Sequence, residues 1–227
     1  MSLSTTGLSL AAEAAVDLHL HTIHSDGAWM PEELFDYLVR EQFSLAAITD
    51  HDRPDTTGAM QQLAQAKGLP VLVAVEMTAS WLGQMTDLLC FGFDPAYNAL
   101  HELAQDVLRR QQDRTRQVYE TLQGQNYNLP PAALDDLLAQ PSAQQPHALA
   151  AFLKSKAVPS TAMIALQEGF TFASTDLAAV VDAAHRSGAV CLIAHPGHGD
   201  YMLDYTLQML DQVRQEASID GLEGYHP

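Results

Sequence analysis

Positive charge is scarce in this sequence: 11 Lys and Arg residues stand against 28 Asp and Glu in a chain of 227, a formal net charge of −17. Such a surface excludes broad binding to nucleic acid or to anionic membranes. It does not exclude a small phosphorylated substrate, because bound cations dominate the field inside a metal site. Cysteine is nearly absent. Cys90 and Cys191 both lie in apolar runs, which points to buried free thiols in a reducing compartment and not to a disulfide framework. No apolar run approaches the roughly 20 residues that cross a bilayer. Met1 to Ala15 lacks the basic start and long apolar core of a secretory signal. A cytoplasmic protein is the expectation. A Gly-x-Ser-x-Gly elbow is missing as well, and neither cysteine sits in a reactive setting, so no protein nucleophile presents itself.

What is present is apolar content and regular alternation. Hydrophobic residues make up 47% of the chain, enough for one sizeable core. Strand-like runs occur at 16–21, 45–49, 70–77, 87–93, 189–194 and 219–224. Several lack polar alternation, as parallel strands covered on both faces do. Helical patterns at 31–42, 57–67 and 176–187 lie between them. Pro31 suits a first turn, Glu32 and Glu33 suit the positive end of the dipole, and Gly68 and Gly188 are stop signals. The alternation predicts an α/β fold with a parallel, barrel-like sheet. Residues 96–173 differ. They show one long helical pattern at 99–123 and shorter ones at 131–140, 146–156 and 160–168, punctuated by Pro130, Pro131, Pro141, Pro146 and Pro159. They read as a helical insertion.

Metal-competent side chains recur where strands end. His19 and His21 are two residues apart, so both point to one face of a strand. Asp50 and His51 follow Leu45–Ile48, Glu76 closes the run that begins at Val71, and His195 follows Val190–Ala194. In parallel α/β folds, ligands bind at these carboxyl ends. Imidazoles and carboxylates converging there are a divalent-metal donor set. Asp26 follows a short loop and reads either as a further ligand or as a cap for the next turn.

These strings resemble the polymerase and histidinol phosphatase (PHP) family of metal-dependent phosphoesterases. Asp17-Leu18-His19-Leu20-His21-Thr22 with Ser25-Asp26-Gly27 looks like its first motif, Ile48-Thr49-Asp50-His51-Asp52 like its second, and Ala194-His195-Pro196-Gly197 like its third. Val75-Glu76 matches the family's acidic ligand position. The resemblance covers nearly the whole chain. It suggests the subgroup acting on nucleoside 3′,5′-bisphosphates and short 5′-phosphorylated oligonucleotides.

By that resemblance the fold is a distorted (β/α)7-type barrel with a substrate-facing helical insertion at 96–173. His19, His21, Asp26, His51, Glu76 and His195 hold two or three divalent ions, with Mn, Fe or Zn suiting the mixed donors. Arg110, Arg114, His147 and His198 are implied substrate contacts. For Arg114 a solvated helix charge is the alternative. The implied chemistry is phosphomonoester hydrolysis by a hydroxide that the cations generate.

Two departures stand out. Relatives often carry a histidine where Asp87 stands, and Asp87 reads as an oxygen ligand or as a strand-start aspartate in solvent. The family's fourth motif, a late Asp-x-His, has no counterpart, although Gly224-Tyr225-His226-Pro227 resembles the strand before it. The barrel is therefore expected to lack its C-terminal end and two ligands. The alternatives are a histidinol-phosphatase-like or amidohydrolase-like metal hydrolase, or a non-catalytic nucleotide- or metal-binding relative. The expected partner is a small phosphorylated substrate, with no membrane and no long nucleic acid.

Overall fold

The computed structural model describes residues 7–197 and 202–225. The chain divides into two compact units. One comprises residues up to Ala104 together with those from Ser174 onward, and the other is Gln105–Ala173.

In chain order the first unit contains β1 (Val16–Leu20), α1 (Pro31–Arg40), β2 (Leu45–Ile48), α2 (Thr57–Lys67), β3 (Val71–Leu72), β4 (Ala74–Trp81) and β5 (Gln84–Phe91). The long helix α3 (Ala99–Gly124) begins in it and continues into the second unit, which adds α4 (Pro131–Leu138), α5 (Gln145–Ser155) and α6 (Ser160–Ile164). The chain then returns through β6 (Thr175–Asp176), α7 (Leu177–Arg186), β7 (Val190–Ile193), α8 (Leu207–Ala217) and β8 (Gly221–Leu222).

The strands form two sheets, β1-β2-β3 and β6-β4-β5-β7-β8. The first is parallel, as expected. The second is mixed, which corrects the parallel expectation: β4 and β5 run antiparallel, as do β5 and β7, while β6 and β8 are parallel to their neighbours. Continuous apolar strands report burial on both faces, and burial carries no information about direction. A parallel bridge between His51 and Glu76 joins the sheets.

Two local features explain the misread strands. The run 70–77 is two strands, because the chain passes from one sheet to the other at Val73. β5 begins at Gln84, earlier than the expected 87, because Leu82 and Gly83 form a two-residue hairpin turn with φ of 52° and 77°. Two positive φ angles match the right-handed twist of the flanking strands. Helix α8 is likewise under-signalled, although Thr206 caps it by accepting from the Met209 N–H and Leu210 and Val213 lie three residues apart.

Each sheet buries its own core. Helices α1 and α2 lay Leu34, Phe35, Leu38, Met60 and Ala64 on Ala46, Ile48 and Val71. Helix α7 lays Leu177, Val180, Val181 and Ala184 on Val75, Met77, Leu88, Cys90, Cys191 and Ile193. Phe35 is completely buried, and truncation to alanine there is expected to cost about 3–5 kcal/mol. In the second unit Val118, Tyr119, Leu122, Leu137, Leu149 and Leu153 make a separate small core. Among the described residues no helix is long and apolar enough to cross a membrane.

Candidate metal centre

Glu76 is the hub. It lies on β4, fully buried, at the junction of the two sheets. His19 Nε2 is 2.8 Å and His21 Nε2 3.0 Å from its Oε2, and His195 Nε2 is 3.2 Å from its Oε1. His51 Nε2 stands 3.5 Å from Oε2. Four of the ring nitrogens proposed from sequence thus converge on one carboxylate. Asp26 lies at the outer side, its side chain 49% exposed, with Oδ1 3.3 Å from His21 Nδ1 and Oδ2 3.7 Å from His51 Nε2. Three groupings have ligand atoms within 4.8 Å of one another: His19–His21–Glu76, His21–Asp26–His51 and His51–Glu76–Asp87.

The loop after β1 is built around Asp50. This buried carboxylate accepts from the Thr22 N–H (2.6 Å), the Thr22 hydroxyl (2.7 Å) and the Ser25 hydroxyl (2.8 Å). The N–H groups of Ser25 and Gly27 donate to the Thr22 carbonyl. That turn presses Gly27 against β1, where a Cβ would lie 2.4 Å from the carbonyl carbon and oxygen of His21. Only glycine fits, and the Ser-Asp-Gly string follows from this packing. After β2, Asp52 donates its N–H to the Glu76 carbonyl and accepts from the Thr78 N–H, which ties the His51 turn to β4.

Electrostatics follow from the burial. Desolvation alone lowers the His19 pKa, but hydrogen bonds to Glu223 and Glu76 outweigh it and push it up to about 10. Desolvation opposes ionisation of Glu76, yet the surrounding His51, His19, His195 and His21 hold it well below the usual carboxylate range. Asp87 goes the other way: burial, then the charges of Glu76 and Asp52, push it well above the usual value. Both Asp87 oxygens are buried without a hydrogen-bond partner, as is His51 Nδ1. An orphaned carboxylate beside a hub of imidazoles fits the donor set of a divalent cation. Asp87 is not a solvent-facing strand-start residue.

Glu223, just past β8, was not legible as a site residue. Its Oε1 accepts from His19 Nδ1 at 3.0 Å and its Oε2 from the His195 N–H at 2.7 Å. The available signal was the one that found the others, a polar residue after a short apolar strand.

Three of the proposed substrate contacts lie in the second unit. Arg110 pairs with Asp106 at 2.7 Å. Arg114 donates to the carbonyls of Thr171 and Phe172 at 3.2 and 2.6 Å, and it lines a groove of about 640 Å³ with Gln117 and Glu168. The His147 ring packs 5.4 Å from that of Phe172. His198 and His226 lie outside the described residues.

The fold and the cluster together define a mixed α/β protein with a strand-end site suited to divalent cations. No protein-family model matches the chain. It is 34% identical over 113 residues to a 3′,5′-nucleoside bisphosphate phosphatase of Chromobacterium violaceum, an alignment covering 48% of this chain and 39% of that protein. It is 27% identical over 195 residues to the 5′-3′ exoribonuclease Rnm of Salmonella typhimurium, covering 81% and 66%. The chain thus spans less than two thirds of the length of these relatives. The fold is that of a Bifidobacterium adolescentis protein inferred to be a metal-dependent phosphoesterase, with a TM-score of 0.70 at 24% identity over 94% of this chain and 78% of that one. The resemblance drawn from the motifs is borne out: the chain is a homologue of enzymes that hydrolyse phosphoesters.

Proposed function

We propose that this chain is a PHP-family phosphomonoesterase that uses divalent cations to hydrolyse a nucleotide substrate, either a nucleoside 3′,5′-bisphosphate or a short 5′-phosphorylated oligonucleotide. The observation that carries this reading is the convergence of His19, His21, His51 and His195 on the buried Glu76, with the orphaned Asp87 beside them. By name, one relative is a phosphatase of 3′,5′-nucleoside bisphosphates and the other a 5′-3′ exoribonuclease, which supports a nucleotide substrate.

His19, His21, Asp26, His51, Glu76 and His195 would hold the cations, and Asp87 would join them, a reading supported by its two buried oxygens without hydrogen-bond partners. A further carboxylate moves the donors toward oxygen and favours Mn²⁺ over Zn²⁺. Bound cations supply Lewis acidity for a water molecule and neutralise charge on the phosphoryl group.

The chain's own residues do the rest. Burial is graded, from Asp26 at 49% exposed through His21 at 21% to Glu76 at 1%, so substrate approaches from the Asp26 side. Asp50 fixes the loop that carries Asp26. Ionised Glu76 keeps the ring nitrogens turned inward. A substrate role for Arg110, Arg114, His147 and His198, and the reading of 96–173 as a substrate-facing insertion in one domain, rest on the resemblance alone. Free buried thiols at Cys90 and Cys191 suit a cytoplasmic protein.

The test is phosphate release from adenosine 3′,5′-bisphosphate with added Mn²⁺, run beside histidinol phosphate. Release from the nucleotide alone supports this reading. Release from histidinol phosphate alone moves the substrate class, and release from neither contradicts it.

A further inference from the structure

Glu223 divides its carboxylate between residues of two different sheets, one on a strand and one just past a strand end. Its own N–H donates to the Ile193 carbonyl at 2.8 Å, which fixes its register beside β7. Its side chain, 12% exposed, then takes the Nδ1–H of His19 on one oxygen and the backbone N–H of His195 on the other. His19 belongs to the parallel sheet and His195 follows β7 of the mixed sheet. His195 also holds a left-handed backbone, with φ of 29°, a conformation rare outside glycine. None of the three ligand-atom groupings includes Glu223.

We propose that Glu223 is a positioning residue that turns His19 and His195 onto the hub. A neutral imidazole carries one proton. In the cation-bound form Nδ1 of His19 keeps its proton on Glu223, and Nε2, which donates to Glu76 in the metal-free chain, is the nitrogen left to supply a lone pair to the cation. Accepting from the His195 N–H holds the left-handed turn that brings the ring back toward Glu76. His21 and Asp26 are organised instead through the Asp50 loop, and His51 through the Asp52 turn. The site therefore has two halves with separate supports, Glu223 for one and Asp50 with Asp52 for the other. This inference rests on the metal-site reading above.

The experiment is equilibrium dialysis of the full chain against Mn²⁺, with bound metal counted by mass spectrometry, for wild type, Glu223→Gln and Glu223→Ala. Circular dichroism verifies folding. Glu223→Gln keeps the side-chain volume but loses one acceptor. One class of bound Mn²⁺ should weaken about 10–100-fold in both variants, with the other class unchanged. Variants that bind as wild type does would overturn the inference and leave the metal reading standing. Equal weakening of every Mn²⁺ would also overturn it. A wild-type chain that binds no Mn²⁺ sinks both. A variant-free check uses the ¹⁵N shifts of the His19 ring in Zn²⁺-loaded wild type. They should place the proton on Nδ1, and a proton on Nε2 refutes the inference.

Discussion

Asp87 Oδ2 lies 3.8 Å from His195 Nε2, fully buried, and neither Asp87 oxygen takes part in a hydrogen bond. This pair has opposite consequences with and without metal. In the metal-free chain the raised Asp87 pKa means the folded state binds more protons than the unfolded one. Stability therefore falls as pH rises above the ordinary value of 3.8 toward the higher folded value. Asp87→Asn removes that penalty. Near neutral pH it should stabilise the EDTA-treated chain, by on the order of 1–3 kcal/mol, and shrink the thermal gain that Mn²⁺ gives. Differential scanning calorimetry in both conditions measures this. A variant less stable than wild type in EDTA contradicts it.

Gly27 and Gly83 make a contrasting pair. Alanine at Gly27 would drive a Cβ into the His21 backbone, so β1 or the Asp26 loop must move. A loss of about 1–3 kcal/mol and clearly weaker Mn²⁺ binding are expected. Alanine at Gly83 meets open space and pays only for its positive φ, about 1–2 kcal/mol, with Mn²⁺ binding unchanged. Thermal melts and Mn²⁺ titrations of the two variants decide the matter.

Asp220 clamps the end of the mixed sheet. Its Oδ2 accepts from the Cys191 N–H at 2.8 Å and from His185 Nε2 at 2.9 Å. Those partners, the Cys191 N–H foremost, hold its carboxyl below the ordinary 3.8. Its contribution is therefore fully present above that value and disappears as pH falls through the lower folded one. The side chain is 38% exposed, so the gain is on the order of 0.5 kcal/mol after screening. Asp220→Asn should be slightly less stable than wild type at neutral pH, and the gap should close below about pH 4. Urea melts across that range test it.

Cys90 and Cys191 sit opposite each other on β5 and β7, with sulfurs 3.8 Å apart and both buried. The hydrogen bond with Cys191, and then burial, push the Cys90 thiol up. Neither should react with a thiol reagent in the native protein, and both should react in denaturant. Rapid labelling of the folded chain would contradict that packing.

Much of the hub was legible because strand ends have a simple signature: His19, His21, His51, Glu76 and His195 each stand where an apolar run stops. Glu223 carries the same signature more weakly, since Gly221–Leu222 is a strand of only two residues. Strand direction was not legible. Val75 and Cys90 face each other in an antiparallel pair, yet their surroundings are as apolar as those of the parallel Ala46 and Val71. The hairpin at Leu82-Gly83 was missed because leucine with positive φ is not a turn signal. Asp50 was read as one more metal-competent strand-end residue beside His51, since a carboxylate serving backbone and hydroxyl donors is indistinguishable in sequence from a metal ligand.

The central claim is that the Glu76 hub holds the cations on which hydrolysis depends. The most direct test measures phosphate release from adenosine 3′,5′-bisphosphate by wild type and by His51→Ala, with Mn²⁺ and again after EDTA. The account predicts release by wild type with Mn²⁺ only, and a fall of a hundredfold or more in the variant, roughly the loss of one metal ligand. Release that survives EDTA, or a variant as active as wild type, would contradict it.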